Sequence, residues 1–457
     1  MTNWLIRKSE AVLTGAAGTD ARASGVDIRV RDGFITEMAP DLKQSEDETL
    51  VDAQDCVVYP GWVNTHHHLF QSLLKAVPGG MQQRLDGWLA AVPYRYLERF
   101  DVDLMRAAAR LGMTELLLSG TTTVADHHYL YYKGGPTELG DLLFEVADEL
   151  GMRFVLCRGG ATRPSSHAGY PVHLPSETTS AFIKDVERLK NSYHENRGDA
   201  KRRVVMAPTT PTFSVSPEDL QIFADAARHL GLRMHTHLSE TESYVTYCRE
   251  RHGMTPTEFC AAHGWSGEDV WFAHMVHTSA EEIPGLARAG TGITHCPQSN
   301  CRLGSGVAPV PQMARAGVRI SMGVDGAASN EAPDMISETH QAWLVQRGAQ
   351  LDADATRVED VVHWASRGGA NILGLDKVGL LAPGMAADLV VYRLDQPRYW
   401  GIHDAAVAPI VAGGTPSIKL SMVQGQPVVE DGVIAGASER PNLAVEARNA
   451  VQRLLRL

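Results

Sequence analysis

The 457-residue sequence contains no CxxC pair; its six cysteines, Cys56, Cys157, Cys248, Cys260, Cys296 and Cys301, are scattered, and a chain of this length needs no disulfide staples. They read as reduced thiols, which points to the cytoplasm. The chain also lacks an excess of positive charge. A formal net charge of -12 and a pI near 5.9 would repel a phosphate backbone or an anionic lipid surface, so neither nucleic acid nor membrane is expected as a partner. No apolar run approaches the roughly 18 residues of a membrane span, and residues 1–15 contain no apolar core of signal-peptide length. Solenoid repeats and low-complexity tracts are missing too. What remains, 44% hydrophobic and 21% charged residues, suffices for a large core and suits an enzyme acting on a small neutral molecule. It is compatible with a homo-oligomer.

Two textures divide the sequence. Both ends are rich in short β-type runs, such as 27–30 and 34–38 around the turn Asp32-Gly33, and again 387–392 and 427–429 before Asp431-Gly432. Asp-Gly between alternating runs is a hairpin signal, because both turn positions favour positive φ. The middle alternates short β-branched runs with amphipathic segments, which predicts repeated strand–helix units. Eight candidate strands, 57–66, 121–126, 153–158, 204–209, 233–237, 270–274, 292–295 and 319–325, are the number that closes a barrel. One intervening helix is expected over 104–118, with Leu104, Ala107, Ala108, Leu111 and Leu118 on one face and Gly120 as its stop. The expected architecture is α/β: a distorted (β/α)8 TIM barrel over 59–375, a small β-sandwich-like domain from 1–58 plus 376–440, and a C-terminal helix over 441–457.

Most of the predicted strands end in a polar or ionisable residue: His66 and His68, Asp126, Arg158, His237, His274, His295 and Asp325. Active sites of such barrels lie at the C-terminal ends of the strands, so these side chains should converge on one mouth. Strand alternation aims His66 and His68 the same way and His67 the other, giving two imidazoles for one metal. Met234-His235-Thr236-His237-Leu238-Ser239-Glu240 adds a third imidazole and a carboxyl placed to pass protons without being a ligand. Asp325 can bind metal or take a proton from water.

These motifs resemble the amidohydrolase superfamily, in the branch of guanine, cytosine and S-adenosylhomocysteine deaminases and triazine hydrolases. The likeness is carried by Pro60-Gly61-Trp62-Val63-Asn64-Thr65-His66-His67-His68, the segment 237–240, His274, His295-Cys296-Pro297-Gln298-Ser299-Asn300, the segment 323–330, and Pro383-Gly384-Met385-Ala386-Ala387-Asp388-Leu389. The resemblance implies a deaminase with His66, His68, His237 and Asp325 as metal ligands and Glu240, His274 and Asp325 as catalytic residues. One divalent metal, Zn²⁺ or alternatively Fe²⁺, is implied, since the fourth strand lacks the modified lysine of binuclear relatives. Around residues 66–72, 126–136, 158–162 and 204–216 the sequence is most similar to bacterial deaminases of oxidised purines and pterins. That implies a small heterocycle and water as reactants, with isoxanthopterin first and 8-oxoguanine, guanine or s-triazines as alternatives. Gln71, Arg158, Trp88, Tyr129, Tyr131 and Tyr132 are the expected substrate contacts, and His295 either supports the site or touches substrate. His67, His128, His277, Cys296 and Cys301 are read as packing or hydrogen-bonding residues, and Asp126 as a supporting carboxylate.

Overall fold

The computed structural model describes residues 2–165 and 174–456. Eight parallel strands form a closed barrel: β1 Trp62–His68, β2 Thr121–His128, β3 Arg153–Arg158, β4 Arg202–Met206, β5 Met234–Leu238, β6 Val270–His274, β7 Gly292–His295 and β8 Arg319–Met322. Each pairs with its sequence neighbour, and Met322 against Asn64 closes the ring. After a break at Gly323-Val324, Asp325–Gly326 resumes pairing beside His67 and His68. That second contact with β1 carries Asp325 to the mouth. The first strand begins later than the sequence suggests. Cys56–Pro60 is antiparallel to Leu389–Arg393 in a separate sheet, and the chain enters the barrel only past Gly61, where a Cβ would lie 2.3 Å from the Thr122 side chain.

Two sheets assembled from both ends of the chain share one core containing Trp4, Ile28, Val30, Val58, Leu389, Val391 and Met422. Both Asp-Gly turns take the positive φ their hairpins need: Asp32 49° and Gly33 83°, Asp431 47° and Gly432 76°. Asp388, within the Pro383 to Leu389 motif, forms a fully buried bidentate pair with Arg153 at the base of β3, at 3.0 and 3.1 Å. The motif thus ties the terminal sheets to the barrel, away from the mouth.

The helix Val102–Leu118 is capped by Asp101, whose carboxylate accepts from the Leu104 amide at 3.1 Å, and stops at Gly120 with φ 91°. Leu104, Ala107 and Ala108 are buried as expected; Leu111 and Leu118 lie at the rim of that face, packed against the core but part-exposed. The C-terminal helix Leu443–Arg456 packs against it, with Arg110 bridging to Glu446 at 3.1 Å. Among the described residues, no helix is long and apolar enough to cross a membrane.

Candidate active site and metal centre

Four donor atoms meet where β1, β5 and the Asp325 bridge converge. His68 Nε2 lies 3.2 Å from His237 Nε2 and 3.3 Å from Asp325 Oδ1, and His66 Nε2 lies 3.4 Å from the same oxygen. The tautomers follow from what the other ring nitrogens touch. His68 Nδ1 faces the His127 carbonyl at 2.8 Å, and His237 Nδ1 faces the Thr209 carbonyl at 2.7 Å. A carbonyl only accepts, so both Nδ1 atoms carry the proton and both Nε2 atoms present lone pairs. His66 Nε2 is buried with no hydrogen-bond partner among the described residues.

Three lone pairs and a carboxylate oxygen crowded together repel one another unless a cation sits among them. Ligands about 2.0–2.1 Å from a tetrahedral Zn²⁺ stand roughly 3.3 Å apart, which is the spacing seen. The residues therefore fit a single divalent ion bound by nitrogen and oxygen. The end of β4, Met206-Ala207-Pro208, offers no lysine for a second one.

The proton-handling groups are set around this cluster under contrasting fields. Burial, helped by the charges of Asp325 and Asp86, pushes the Glu240 carboxyl well above the usual carboxylate range. Asp325 instead accepts from the Ser299 hydroxyl at its Oδ2 and from the Gly326 amide at its Oδ1, at 2.8 Å, two hydrogen bonds that favour the carboxylate. His274, lowered by burial to about 4, is neutral; its Nε2 lies 3.6 Å from Glu240 Oε2. One short helix, Pro297–Arg302, steers two of these groups. Ser299 Oγ donates to Asp325 Oδ2 at 2.6 Å, and the Asn300 amide donates to His274 Nδ1 at 3.0 Å. Buried Glu338 accepts from the Gln298 amide at 3.0 Å and so anchors that helix. His274 and Asp325 hold left-handed backbones, φ 75° and 61°, as does Ser239 at 50° beside Glu240. Non-glycine residues rarely sit there without compensation from their surroundings, and such strain gathers at functional positions.

The cluster opens into a cavity lined by Gln71, Trp88, Tyr94, Tyr129, Thr209, Thr210, Tyr244 and Leu303 beside His68, His237, Asp325, Glu240 and His274. Gln71 donates to the Tyr129 hydroxyl at 3.3 Å, leaving its Oε1 buried and unpartnered. That oxygen occupies space open only because residue 326 is glycine; a Cβ there would come within 1.9 Å of it. Gln71, Trp88 and Tyr129 are thus gathered as the sequence suggests, while Tyr94, Tyr244, Thr209, Thr210 and Leu303 were not foreseen.

Four other expected contacts are not brought to this cavity. Arg158 is held by Glu177 and by Asp185, the latter at 3.0 Å, and its guanidinium stacks 3.8 Å over Tyr131 and 4.3 Å over Phe182. Tyr131, Tyr132 and Arg158 border a different cavity under the helix Thr179–Tyr193. For Arg158 the direction follows from strand alternation. Val155 and Cys157 of β3 pack with Ala125, Val205 and Trp271, whereas Phe154 and Leu156, on the same side as Arg158, pack with the helical layer. His295 is buried against the Gln346 amide at 3.4 Å and does not line the cavity. His67 points to the Asp325 carbonyl, and His277 bonds the Ser305 carbonyl at 2.9 Å.

Arg158→Met should leave kcat/KM per folded molecule unchanged, while costing about 3–5 kcal/mol of stability because Glu177 loses its cation in a buried setting. Urea unfolding beside steady-state kinetics measures both, and a selective rise in KM at unaltered stability would return Arg158 to the substrate.

A closed parallel barrel with imidazoles and carboxylates converging at the C-terminal ends of its strands defines the class, that of the hydrolytic (β/α)8 barrel enzymes. Residues 57–428 match the amidohydrolase family. The chain is 50% identical to an isoxanthopterin deaminase from an unknown prokaryotic organism, covering 99% of this chain and 97% of that protein. It is 39% identical to the 8-oxoguanine deaminase of Pseudomonas aeruginosa over 95% and 96% of the two chains. The crystal structure of the zinc complex of atrazine chlorohydrolase from Arthrobacter aurescens superposes with a TM-score of 0.90 at 30% identity, covering 98% and 99%. The chain belongs to the amidohydrolase family. It is a hydrolase acting on carbon–nitrogen bonds, of the deaminase kind.

Proposed function

We propose that this deaminase replaces the exocyclic amine of an oxidised pterin or purine by a carbonyl, with isoxanthopterin as its preferred substrate. The observation that carries the reading is the pairing, across one cavity, of a carboxyl raised by burial, Glu240, with a carboxylate, Asp325, that accepts from the Ser299 hydroxyl and the Gly326 amide. Two carboxyl groups pushed in opposite directions can give and take protons in the same turnover. His66, His68, His237 and Asp325 would hold one divalent metal, zinc by the chemistry of the set. When bound, such an ion makes water acidic enough to attack near neutral pH.

The chain's own residues do the rest. Asp325 takes a proton from the attacking water, and His274 orients that water through its Nε2 proton. Glu240 delivers its proton to the ring nitrogen beside the attacked carbon, so that carbon accepts the new C–O bond. Asp325 then returns its proton to the exocyclic nitrogen, the C–N bond breaks and ammonia leaves, while the hydroxyl proton of the new C–O group passes to Glu240, restoring its protonated form and leaving the ring a carbonyl.

The cavity supports a free heterocycle. Among the described residues no lysine or arginine lines it, so a phosphorylated substrate would find no counter-charge there. Trp88, Tyr94, Tyr129 and Tyr244 offer aromatic faces to a flat ring. The unpartnered Gln71 Oε1 suits an N–H donor of a 2-amino-4-oxo edge, and a buried acceptor left unpaired rejects rings without that donor. Likeness at 50% identity along almost the full length supports the pterin over the purine. The test is ammonia release from isoxanthopterin, pterin, 8-oxoguanine, guanine, cytosine, adenosine and an amino-triazine. The highest kcat/KM is expected for isoxanthopterin; a preference for adenosine or the triazine overturns the substrate assignment.

A further inference from the structure

Of the three imidazoles in the donor cluster, His66 alone has no carbonyl against its Nδ1. That nitrogen instead faces His235 Nε2 at 2.8 Å, and His235 Nδ1 faces the Trp271 carbonyl at 3.0 Å. The carbonyl only accepts, so His235 carries its proton on Nδ1; its Nε2 is then a lone pair and must accept from His66 Nδ1–H. This leaves the lone pair of His66 on Nε2, the atom that faces Asp325 Oδ1 at 3.4 Å. Both rings are fully buried, out of reach of bulk solvent. The His235 ring is also fixed in plane, stacked on the Trp271 indole with centroids 4.5 Å apart and 13° between planes.

We propose that His235 is a positioning residue that sets the tautomer and orientation of His66 for metal binding, relaying the polarity of the Trp271 carbonyl from β6 through β5 to β1. The proposal rests on the metal reading above. His235 and His237 share one face of β5, two residues apart as His66 and His68 are on β1; one imidazole of the second pair supplies a donor and the other prepares a donor of the first pair. A residue filling space at 235 need only be flat and apolar, whereas the relay requires an acceptor at the position of Nε2.

The two roles part on substitution. Glutamine can place its Oε1 near the position of the imidazole Nε2 and accept from His66 Nδ1–H; leucine fills the space without accepting. Zinc affinity measured by competition with a chromophoric chelator is expected to fall about 10–100-fold in His235→Leu and to return most of the way in His235→Gln, as for other partners that orient metal ligands. The ¹⁵N spectrum of the metal-free wild-type protein should show His66 Nε2 unprotonated and Nδ1 protonated, and this reading does not depend on either variant folding. Wild-type affinity in a folded His235→Leu, zinc binding as weak in His235→Gln as in the leucine variant, or a protonated His66 Nε2 in the wild type would each overturn the proposal. A wild-type protein with the expected spectrum but no zinc affinity would instead remove the metal reading and leave the relay standing.

Discussion

Glu240→Gln should keep the fold and the metal while losing turnover by roughly 10²–10⁴-fold, the range a positioned general acid supplies. The substitution preserves shape and removes only the ability to give up a proton. Glu240 is not among the four clustered donors, its Oε1 has no partner among the described residues, and its Oε2 lies 3.6 Å from Nε2 of the neutral His274, so the amide leaves the donor set intact. The same environment fixes the pH dependence. Because burial first, then Asp325 and Asp86, raise the carboxyl, it holds its proton at neutral pH, and the rate should fall as pH rises through its elevated pKa. That alkaline limb should vanish from the residual activity of the variant. Steady-state kinetics across pH with elemental analysis of the same preparation decides it; near-normal turnover, or loss of metal with loss of rate, would remove Glu240 from the acid role.

Much of this site could be read from the sequence, because a barrel turns sequence order into spatial convergence. Once eight strands were recognised, residues at their C-terminal ends had to meet, and His66, His68, His237, His274 and Asp325 do. What a single chain does not reveal is which way a terminal residue faces. Arg158 ends β3 as His274 ends β6, yet it turns to the helical layer, where Glu177 and Asp185 compensate it, so a costly charge at a strand end does not by itself mark a substrate contact. His235 carried a signal that went unused: two residues before His237 it repeats the spacing of His66 and His68. The walls from Tyr94, Tyr244 and Leu303 had no such signal, being brought over the mouth by connections whose paths depend on packing rather than periodicity. The Pro383 to Leu389 motif was legible as a motif but not as a clamp, since Asp388 meets Arg153 across 235 residues of sequence.

Stripping the metal should abolish turnover and lower thermal stability, and one equivalent of a divalent ion per chain should restore both. The size of the second effect follows from mass action: an ion that binds only the folded chain at about 1,000 times its Kd adds roughly 4 kcal/mol. The geometry adds a reason specific to this protein. His66 Nε2, His68 Nε2, His237 Nε2 and Asp325 Oδ1 stand 3.2 to 3.4 Å from their neighbours, with the imidazole protons committed on the far sides of the rings. Without a cation these atoms repel in a buried setting where water screens little, so the metal-free fold bears an electrostatic cost that the ion converts into attraction. Protons can relieve part of it by adding to the imidazoles, but burial opposes this, holding His66 down to about 3 and His237 well below its ordinary value. The chelated protein should therefore be least rescued by acid near neutral pH, where His66 and His237 stay neutral and the gap in melting temperature between loaded and stripped protein is widest. Calorimetry with and without chelator, titrated back with zinc, measures the gap and its stoichiometry. Equal melting temperatures, or recovery that requires two ions per chain, would show that the four donors do not form one metal site.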